Sequence, residues 1–215
     1  PEEVEQRREI AFNYEQLLAS DEAFRSAPVD VTPTQFRSNL GCARARLDRE
    51  VWERLVDPAE RAAFLSGRDC RGIAHKRLDT SPPSASLVFT GGPPENGVWH
   101  PQSVRLVAVA KALSWERETQ VERVFAEYPA YGVVREVAVD TRRTAEYREA
   151  VRIADAIDGP PARTDNRSKC EACEFSGECG VRTRSLRSLL GGETSTPRRV
   201  VLTVSSLVRV DTQLR

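Results

Sequence analysis

Three closely spaced cysteines near the end of the chain constrain its fold more than any other feature. The segment KCEACEFSGEC, residues 169–179, places Cys170, Cys173 and Cys179 in a C-x2-C-x5-C pattern. A two-residue spacer lets two thiolates converge on one metal, and a third thiolate can return from a short loop. Zinc and iron–sulfur clusters both accept such ligands. Because a site of this kind usually has four ligands, the fourth must come from elsewhere in the chain.

The residues alone leave several candidates for the fourth ligand. Cys42 lies in RSNLGCARARL, near the middle of a predicted long helix, and Cys70 lies in SGRDCRGIAH. The chain also has two histidines. Spacing does not choose among them.

Charge neither favours nor excludes nucleic acid, because 32 basic residues balance 32 acidic ones. Only Lys76, Lys111 and Lys169 are lysines, and the other basic residues are arginines. Arginine is the better bidentate partner for phosphate and carboxylate, although a GC-rich genome would produce the same bias. The sequence therefore permits phosphate binding without requiring it.

The sequence predicts a soluble protein with no membrane association. It has no run of about 18 apolar residues and no signal-peptide pattern. Five cysteines at uneven spacing in a chain of 215 residues favour metal ligands in a reducing compartment over a disulfide framework. We expect a cytoplasmic location.

Helical periodicity and capping signals predict that the first 78 residues are mostly helical. A first helix is expected over residues 2–24 and a second over 33–56. TPTQ has the form of a capping box, in which Thr32 caps the second helix and Gln35 reaches back. DPAE repeats the pattern and predicts a further helix from Asp57 toward His75.

The remainder of the chain predicts a small sheet and further helices. SLVF, VERVFAEY and YGVVREVAV have the character of strands, a clean amphipathic helix is expected over 144–157, and RVVLTVSSLVRV is a final β-like run. QSVRLVAVAKALSWERE is open to two interpretations, a helix or a strand LVAVAK followed by a short helix. The predicted regions are a helical region, a reduced core, a cysteine segment and a tail strand, at 1–78, 79–158, 159–190 and 191–215.

Three segments together resemble iron–sulfur RecB-type nucleases of the PD-(D/E)XK superfamily, the group that includes CRISPR-associated RecB-like exonucleases and the AddB nuclease domain. These segments are VTPTQFRSNLGCARARL, GRDCRGIAH with Gly72 three residues before His75, and the closing C-x2-C-x5-C pattern. The resemblance implies an α+β fold with an α/β core, in which a small restriction-endonuclease-like sheet is flanked by helices and followed by an iron–sulfur knuckle.

The same resemblance implies a four-iron, four-sulfur cluster, with zinc as the alternative metal. Its ligands would be Cys42, Cys170, Cys173 and Cys179, so that the cluster fastens the two ends of the nuclease core together. Cys70 would then be a packed thiol.

Members of that superfamily cleave phosphodiesters with Mg2+ or Mn2+ held by an Asp, a Glu-x-Lys pair and often an upstream histidine. By resemblance, His75 is the upstream histidine and a metal ligand. In the preferred alignment, Gln102 begins a glutamine helix and Leu106 stands where a tyrosine is expected. In the alternative, LVAVAK is the catalytic strand, ending in Lys111, and Val109 stands where the glutamate is expected.

Neither alignment supplies the complete acidic set. Glu95 is the only acid between Asp79 and Glu116, and a turn rich in proline and glycine is a poor place for a preorganised metal ligand. Either the catalytic strands have been lost, or the sequence lacks residues between 80 and 101.

Three functions therefore remain open. The first is a metal-dependent DNA exonuclease acting on single strands or ends in CRISPR adaptation or recombinational repair. The second is an inactive relative that binds DNA, or a partner nuclease, helicase or integrase. The third is a zinc-bound structural module. DNA contacts are expected from the arginines around the cysteine segment, which are Arg163, Arg167, Arg182, Arg184 and Arg187.

Overall fold

A mixed β-sheet flanked by helices forms the centre of the protein, which confirms the α+β class. The computed structural model describes residues 2–158, 171, 173, 174, 202 and 203. The chain divides into two units, one made of Pro1–Val151 with Val201–Arg215 and the other of Arg152–Val200. Within the described residues, no helix is long and apolar enough to cross a membrane.

The N-terminal region is helical but more broken than the periodicity predicts. Its elements are α1 (Glu2–Glu9), a 3-10 turn (Ile10–Phe12), α2 (Tyr14–Ala19), α3 (Asp21–Ser26), α4 (Pro33–Arg46) and α5 (Arg49–Val56). The single helix predicted over 2–24 is wrong, because Ser20 caps a new helix by accepting the Ala23 N–H at 3.2 Å. The helix predicted over 33–56 is also divided, because Leu47 is extended.

The predicted cap of α4 is confirmed in part. Thr32 Oγ1 accepts the Gln35 N–H at 3.2 Å, and Pro33 occupies the first turn. Gln35 does not reach back, however, since its Nε2 donates to Asn39 Oδ1 at 2.8 Å. Only the Thr32 half of the predicted capping box is therefore present.

The helix predicted from Asp57 toward His75 is wrong, because this segment is a β-hairpin. Strands β1 (Glu60–Ser66) and β2 (Cys70–Leu78) pair antiparallel. At the turn, Gly67 lies so close to α6 (His100–Arg117) that an added Cβ would be 2.8 Å from the Ala112 Cα. A side chain at this position would push the hairpin away from the helix.

The remaining elements follow the preferred interpretation of the sequence. β3 (Ser84–Val88), β4 (Arg123–Tyr128), β5 (Val133–Ala138) and α7 (Thr141–Asp155) form where strands and a helix are expected. LVAVAK belongs to α6, so the alternative catalytic strand is wrong. The sheet therefore begins at β1, earlier than the predicted core boundary at residue 79.

The strand order is β1-β2-β3-β4-β5, and α6 makes the crossover between the parallel strands β3 and β4. All other neighbours on this path are antiparallel. A two-residue strand, β6 (Leu202–Thr203), pairs parallel with Cys70 and Arg71 of β2. Pairing of β2 with β3 is confined to Lys76–Leu78, so β6 takes the part of the β2 edge that β3 does not follow.

Apolar side chains cover both faces of the sheet. One core cluster joins β1–β5 to α6 and includes Leu87, Leu106 and Val124. Two further clusters join the other face to the N-terminal helices: one includes Val88 and Phe36, and the other includes Leu78 and Leu55. The arrangement is therefore three-layered, with the sheet in the middle.

One buried lysine links these layers. Lys76 is fully buried, and its Nζ donates to Ala11 O at 2.5 Å, to Leu55 O at 2.7 Å and to Glu127 Oε2 at 2.8 Å. Ser86 Oγ donates to the other oxygen of the same carboxylate at 2.5 Å. A single ammonium group therefore joins the 3-10 turn, α5 and β4 to the centre of the sheet.

Candidate functional site

The strongest candidate site lies where β2 and β3 separate. The side chain of His75 projects into the gap, and its Nδ1 accepts the Val88 N–H at 3.0 Å. The strand also changes face here. Ala74 lies in the core with α6, whereas Lys76 reaches α5 on the opposite face. Side chains two positions apart in a regular strand lie on the same face of the sheet. Because those of Ala74 and Lys76 do not, the regular alternation of β2 is interrupted at His75.

The hydrogen bond to Val88 determines which nitrogen of His75 carries a proton. Burial, and then the charges of Arg8, Arg105 and Lys76, lower the pKa of His75 to about 4. The ring is therefore neutral at pH 7. Because Nδ1 acts as an acceptor, the single proton lies on Nε2, and the rest of the ring offers a hydrogen-bond donor.

Two arginines from different helices lie beside this histidine. Arg105 of α6 places its Cζ 5.5 Å from the centre of the Phe89 ring, the residue after Val88. Arg8 lies in the last turn of α1, and its neighbour Arg7 donates to Thr90 O at 3.4 Å. Burial, and then the charge of Arg8, lower the pKa of Arg105. The end of β3 is therefore bordered by two guanidinium groups.

The guanidinium group of Arg8 forms one ion pair, but one of its N–H donors has no hydrogen-bond acceptor among the described residues. Its side chain is 21% exposed, and Nη1 pairs with Glu5 Oε2 at 3.0 Å. The Nε atom is buried and has no hydrogen-bond partner among the described residues. A buried donor without an acceptor costs about 1–3 kcal/mol, so an additional acceptor would be favourable.

Gln102, predicted from the glutamine motif, lies in the first turn of α6. Its Oε1 accepts from Tyr128 OH at 2.6 Å and from the Trp99 N–H at 3.3 Å. The side chain therefore caps the helix and joins it to β4. Leu106, one turn further on, is fully buried in the core.

Two other predicted catalytic residues lie apart from this arrangement. Lys111 is exposed on α6. It lies nine positions after Gln102, which on a helix means about 13 Å along the axis and two and a half turns around it. Glu95 is exposed in the loop before α6, where Arg135 Nη2 donates to its backbone oxygen at 3.2 Å. The side chains of Lys111 and Gln102 therefore lie on opposite sides of α6, and Glu95 lies in a loop outside that helix.

Two of the four predicted cluster ligands, Cys42 and Cys173, are among the described residues. Cys42 is exposed on α4 and lines a groove of about 590 Å3, which Glu95 also borders. Its accessible thiol has the chemistry that a cluster ligand needs. Cys173 is exposed and belongs to the second unit. Cys170 and Cys179 lie outside the described residues, as do the five predicted DNA-binding arginines.

Cys70, expected to be a packed thiol, is buried, and its Sγ lies 3.3 Å from Ala108 O. Burial raises the pKa of this thiol. An apolar, protonated thiol suits core packing better than metal ligation.

The side chains around His75 do not suit a divalent cation. Such an ion needs lone pairs, and His75 already uses one nitrogen as an acceptor and carries a proton on the other. Glu127 is the only buried carboxylate among the described residues, and it is paired with Lys76. No group of three or more His, Cys, Asp or Glu side chains in the described part of the chain could hold a metal ion.

Sequence reasoning missed Arg8, Arg105 and the pair formed by Lys76 and Glu127. A signal was present in two cases, because Arg105 and Glu127 are charged residues within otherwise apolar runs of a helix or strand, whereas Lys76 lies between His75 and Arg77. Arg8 lies among many charges and gives no comparable signal. Comparison of the chain with protein-family models and with curated proteins gives no match.

Proposed function

We propose that this protein is a non-catalytic relative of the iron–sulfur RecB-type nucleases and that it binds single-stranded DNA or DNA ends. One observation carries the proposal. The histidine that the resemblance assigns to the metal centre lies among the cations Arg8, Arg105 and Lys76.

This environment opposes metal-dependent cleavage. A catalytic Mg2+ or Mn2+ activates water and neutralises charge on the phosphate, and the protein must hold it with carboxylates and neutral lone pairs. Two guanidinium groups and an N–H donor repel a divalent cation and attract an anion. The exonuclease alternative would require a metal to bind against this local field.

The same environment favours the nucleic-acid backbone. Arginine binds phosphate through a planar array of donors and remains charged at any physiological pH. Since the net charge of the chain is zero, attraction to DNA must come from local groups of arginines rather than from the overall field.

The cluster is part of the proposal as a structural element. When bound, a four-iron, four-sulfur cluster would supply a rigid cross-link, and Cys42 is the proposed ligand on the first unit. Iron and sulfide content of anaerobically purified protein tests this, with Cys42→Ser expected to lower iron content and Cys70→Ser expected to retain it. A colourless protein that carries zinc would contradict the cluster.

The function is tested by binding and cleavage assays run side by side on the full chain. Fluorescence anisotropy with labelled single-stranded and blunt duplex DNA should give affinities that fall steeply as salt rises, because phosphate contacts release counterions. The same DNA should stay intact with Mn2+ or Mg2+. Binding that is insensitive to salt would contradict a DNA role, and Mn2+-dependent cleavage lost in His75→Ala would contradict the non-catalytic assignment.

The biological process and the protein partners follow from the resemblance alone. We propose CRISPR adaptation or recombinational repair as the setting, with an integrase or helicase subunit as partner. Co-purification from cells that express such subunits tests the assignment.

A further inference from the structure

A tryptophan side chain is exposed where the loop before α6 meets the helix. Trp99 immediately precedes α6 and is 53% exposed. It ends the segment GGPPENGVW, residues 91–99, which we call the Trp99 loop. A single exposed apolar residue is common on protein surfaces and implies no function by itself. What distinguishes Trp99 is the way in which its ring is held.

Two hydrogen bonds fix the position of Trp99. Its indole Nε1 donates to Gly92 O at 3.0 Å, and its backbone N–H donates to Gln102 Oε1 at 3.3 Å. Gly92 in turn packs against Tyr131, since a Cβ added to the glycine would lie 3.2 Å from the Tyr131 hydroxyl oxygen. The indole N–H is the only polar group of the side chain. The ring therefore presents apolar surface to solvent in a fixed orientation.

Arg135 of β5 holds the middle of the Trp99 loop. Its guanidinium group donates to Pro94 O at 2.7 Å and to Glu95 O at 3.2 Å, and it also donates to Gly97 O. Gly97 lies two residues before Trp99, and its φ of +63° turns the chain in a way that suits glycine. The loop is thus anchored at several consecutive backbone positions.

A second set of contacts joins Arg135 to Trp99. The Arg135 Cζ lies 5.9 Å from the centre of the Tyr128 ring, and Tyr128 OH donates to Gln102 Oε1 at 2.6 Å. The same oxygen accepts the Trp99 N–H. A guanidinium group and an exposed aromatic ring are therefore connected both through the loop and through β4 and α6.

Positive charge is available beside this ring. In the described part of the chain no carboxylate pairs with Arg135, whose guanidinium group donates to backbone oxygens. The N-terminal end of α6, an 18-residue helix, begins directly after Trp99 and carries partial positive charge. Glu146, which lies 3.6 Å from His100 in the first turn, is paired with Arg142. An apolar ring with cationic surroundings suits a ligand that joins a flat aromatic group to an anion.

We infer that Trp99 is a stacking platform for an unpaired base of single-stranded DNA, with the charge of Arg135 favouring the attached phosphates. The inference rests on the proposed function, in that the base belongs to the DNA that the protein binds. Stacking on an aromatic side chain needs only the flat face of a base, so it is tolerant of sequence. Bases within a duplex are covered by their neighbours, so the platform selects single strands over blunt duplex. Because the ring is already fixed, binding orders little of the protein.

If a base stacks on Trp99, removing the ring and removing the base should have the same effect. Fluorescence anisotropy of the full chain with labelled oligothymidylate should give an affinity about tenfold lower for Trp99→Ala than for the wild type, as expected for the loss of one stacked base. A strand of equal length and charge whose sugars carry no bases should bind the wild type more weakly. On that abasic strand, Trp99→Ala and the wild type should have equal affinity.

Two further variants control for exposure and for local structure. Trp115 is 59% exposed on the same helix, 16 positions after Trp99 and about 24 Å away along the axis. Trp115→Ala should leave both affinities unchanged. Trp99→Phe keeps an aromatic ring without the indole N–H and should retain most of the affinity for oligothymidylate, which separates stacking from the hydrogen bond to Gly92.

The platform and the proposed function can fail separately. Equal weakening of Trp99→Ala on the intact and abasic strands would overturn the platform, because the ring would then act through the fold rather than through a base. Unchanged affinity of Trp99→Ala for oligothymidylate would also overturn it and leave DNA binding standing. If that variant also had a smaller mass in solution than the wild type, the exposed ring would be a contact between two copies of the chain. A wild type that binds neither strand would overturn the function itself.

Discussion

Replacing Lys76 by methionine should destabilise the protein more than any change at an exposed lysine. The substitution keeps most of the apolar stem and removes an ammonium group that donates to two backbone carbonyls and to Glu127. Both partners of the ion pair are fully buried. Burial lowers the pKa of Lys76, and Glu127 opposes that shift.

The magnitude follows from what the missing ammonium group leaves behind. Removing one partner of a buried ion pair typically costs about 3–5 kcal/mol, because the other charge stays buried without compensation. Ala11 and Leu55 lose a donor as well, at about 1–3 kcal/mol for each carbonyl that finds no substitute. These costs overlap, since Glu127 can take up a proton, so we expect a total near 4 kcal/mol.

Urea unfolding followed by circular dichroism measures this loss, with Lys111→Met as the matched control. Lys111 is exposed on α6, and its replacement should change the free energy of unfolding by less than about 0.5 kcal/mol. The double variant Lys76→Met with Glu127→Leu should recover part of the stability, because no charge then remains buried. A Lys76→Met protein within about 1 kcal/mol of the wild type would refute the reasoning.

Three further predictions concern the histidine, a cap and a loop. The pKa of His75 is 6.5 in the unfolded chain and about 4 in the folded one, so the unfolded state binds more protons between these values. The free energy of unfolding should therefore fall by about 2 kcal/mol as the pH is lowered from 7 to 5. His75→Gln should abolish this component in urea titrations at the two pH values, and an unchanged slope would contradict it. Thr32→Ala should lower the unfolding free energy by about 1 kcal/mol through loss of the α4 cap, with Thr34→Ala as the comparison. Arg135→Gln should speed cleavage after Glu95 by a glutamyl endopeptidase about tenfold, because Arg135 also donates to Pro94 O at 2.7 Å and holds the loop.

Local signals predicted much of the fold. Thr32 followed by proline marks the start of α4, and the strong β character of the β4 and β5 segments identifies those strands. The hairpin at 60–78 could not be recognised in the same way, because Asp57 and Glu60 imitate a capping box. The alternation of apolar and polar residues in β1 is short, and it is interrupted by the apolar Phe64, which is 61% exposed.

The site was only partly predictable because its members come from distant parts of the chain. His75 was found by its spacing from Gly72. Arg105 and Arg8 belong to helices whose approach to the end of β3 depends on the packing of the whole domain. Lys76 illustrates the same limit, since lysine is almost never fully buried unless paired, and its partner Glu127 lies on a different strand.

The short strand β6 has a consequence for any shortened form of this chain. Leu202 and Thr203 occupy the edge of β2 at Cys70 and Arg71, and they follow the second unit in sequence. A chain ending after residue 158 would therefore expose backbone donors and acceptors that the full chain pairs. Unpaired strand edges are templates for association between molecules, so Leu202 and Thr203 protect the edge of β2 from self-assembly although they lie far from that strand in sequence.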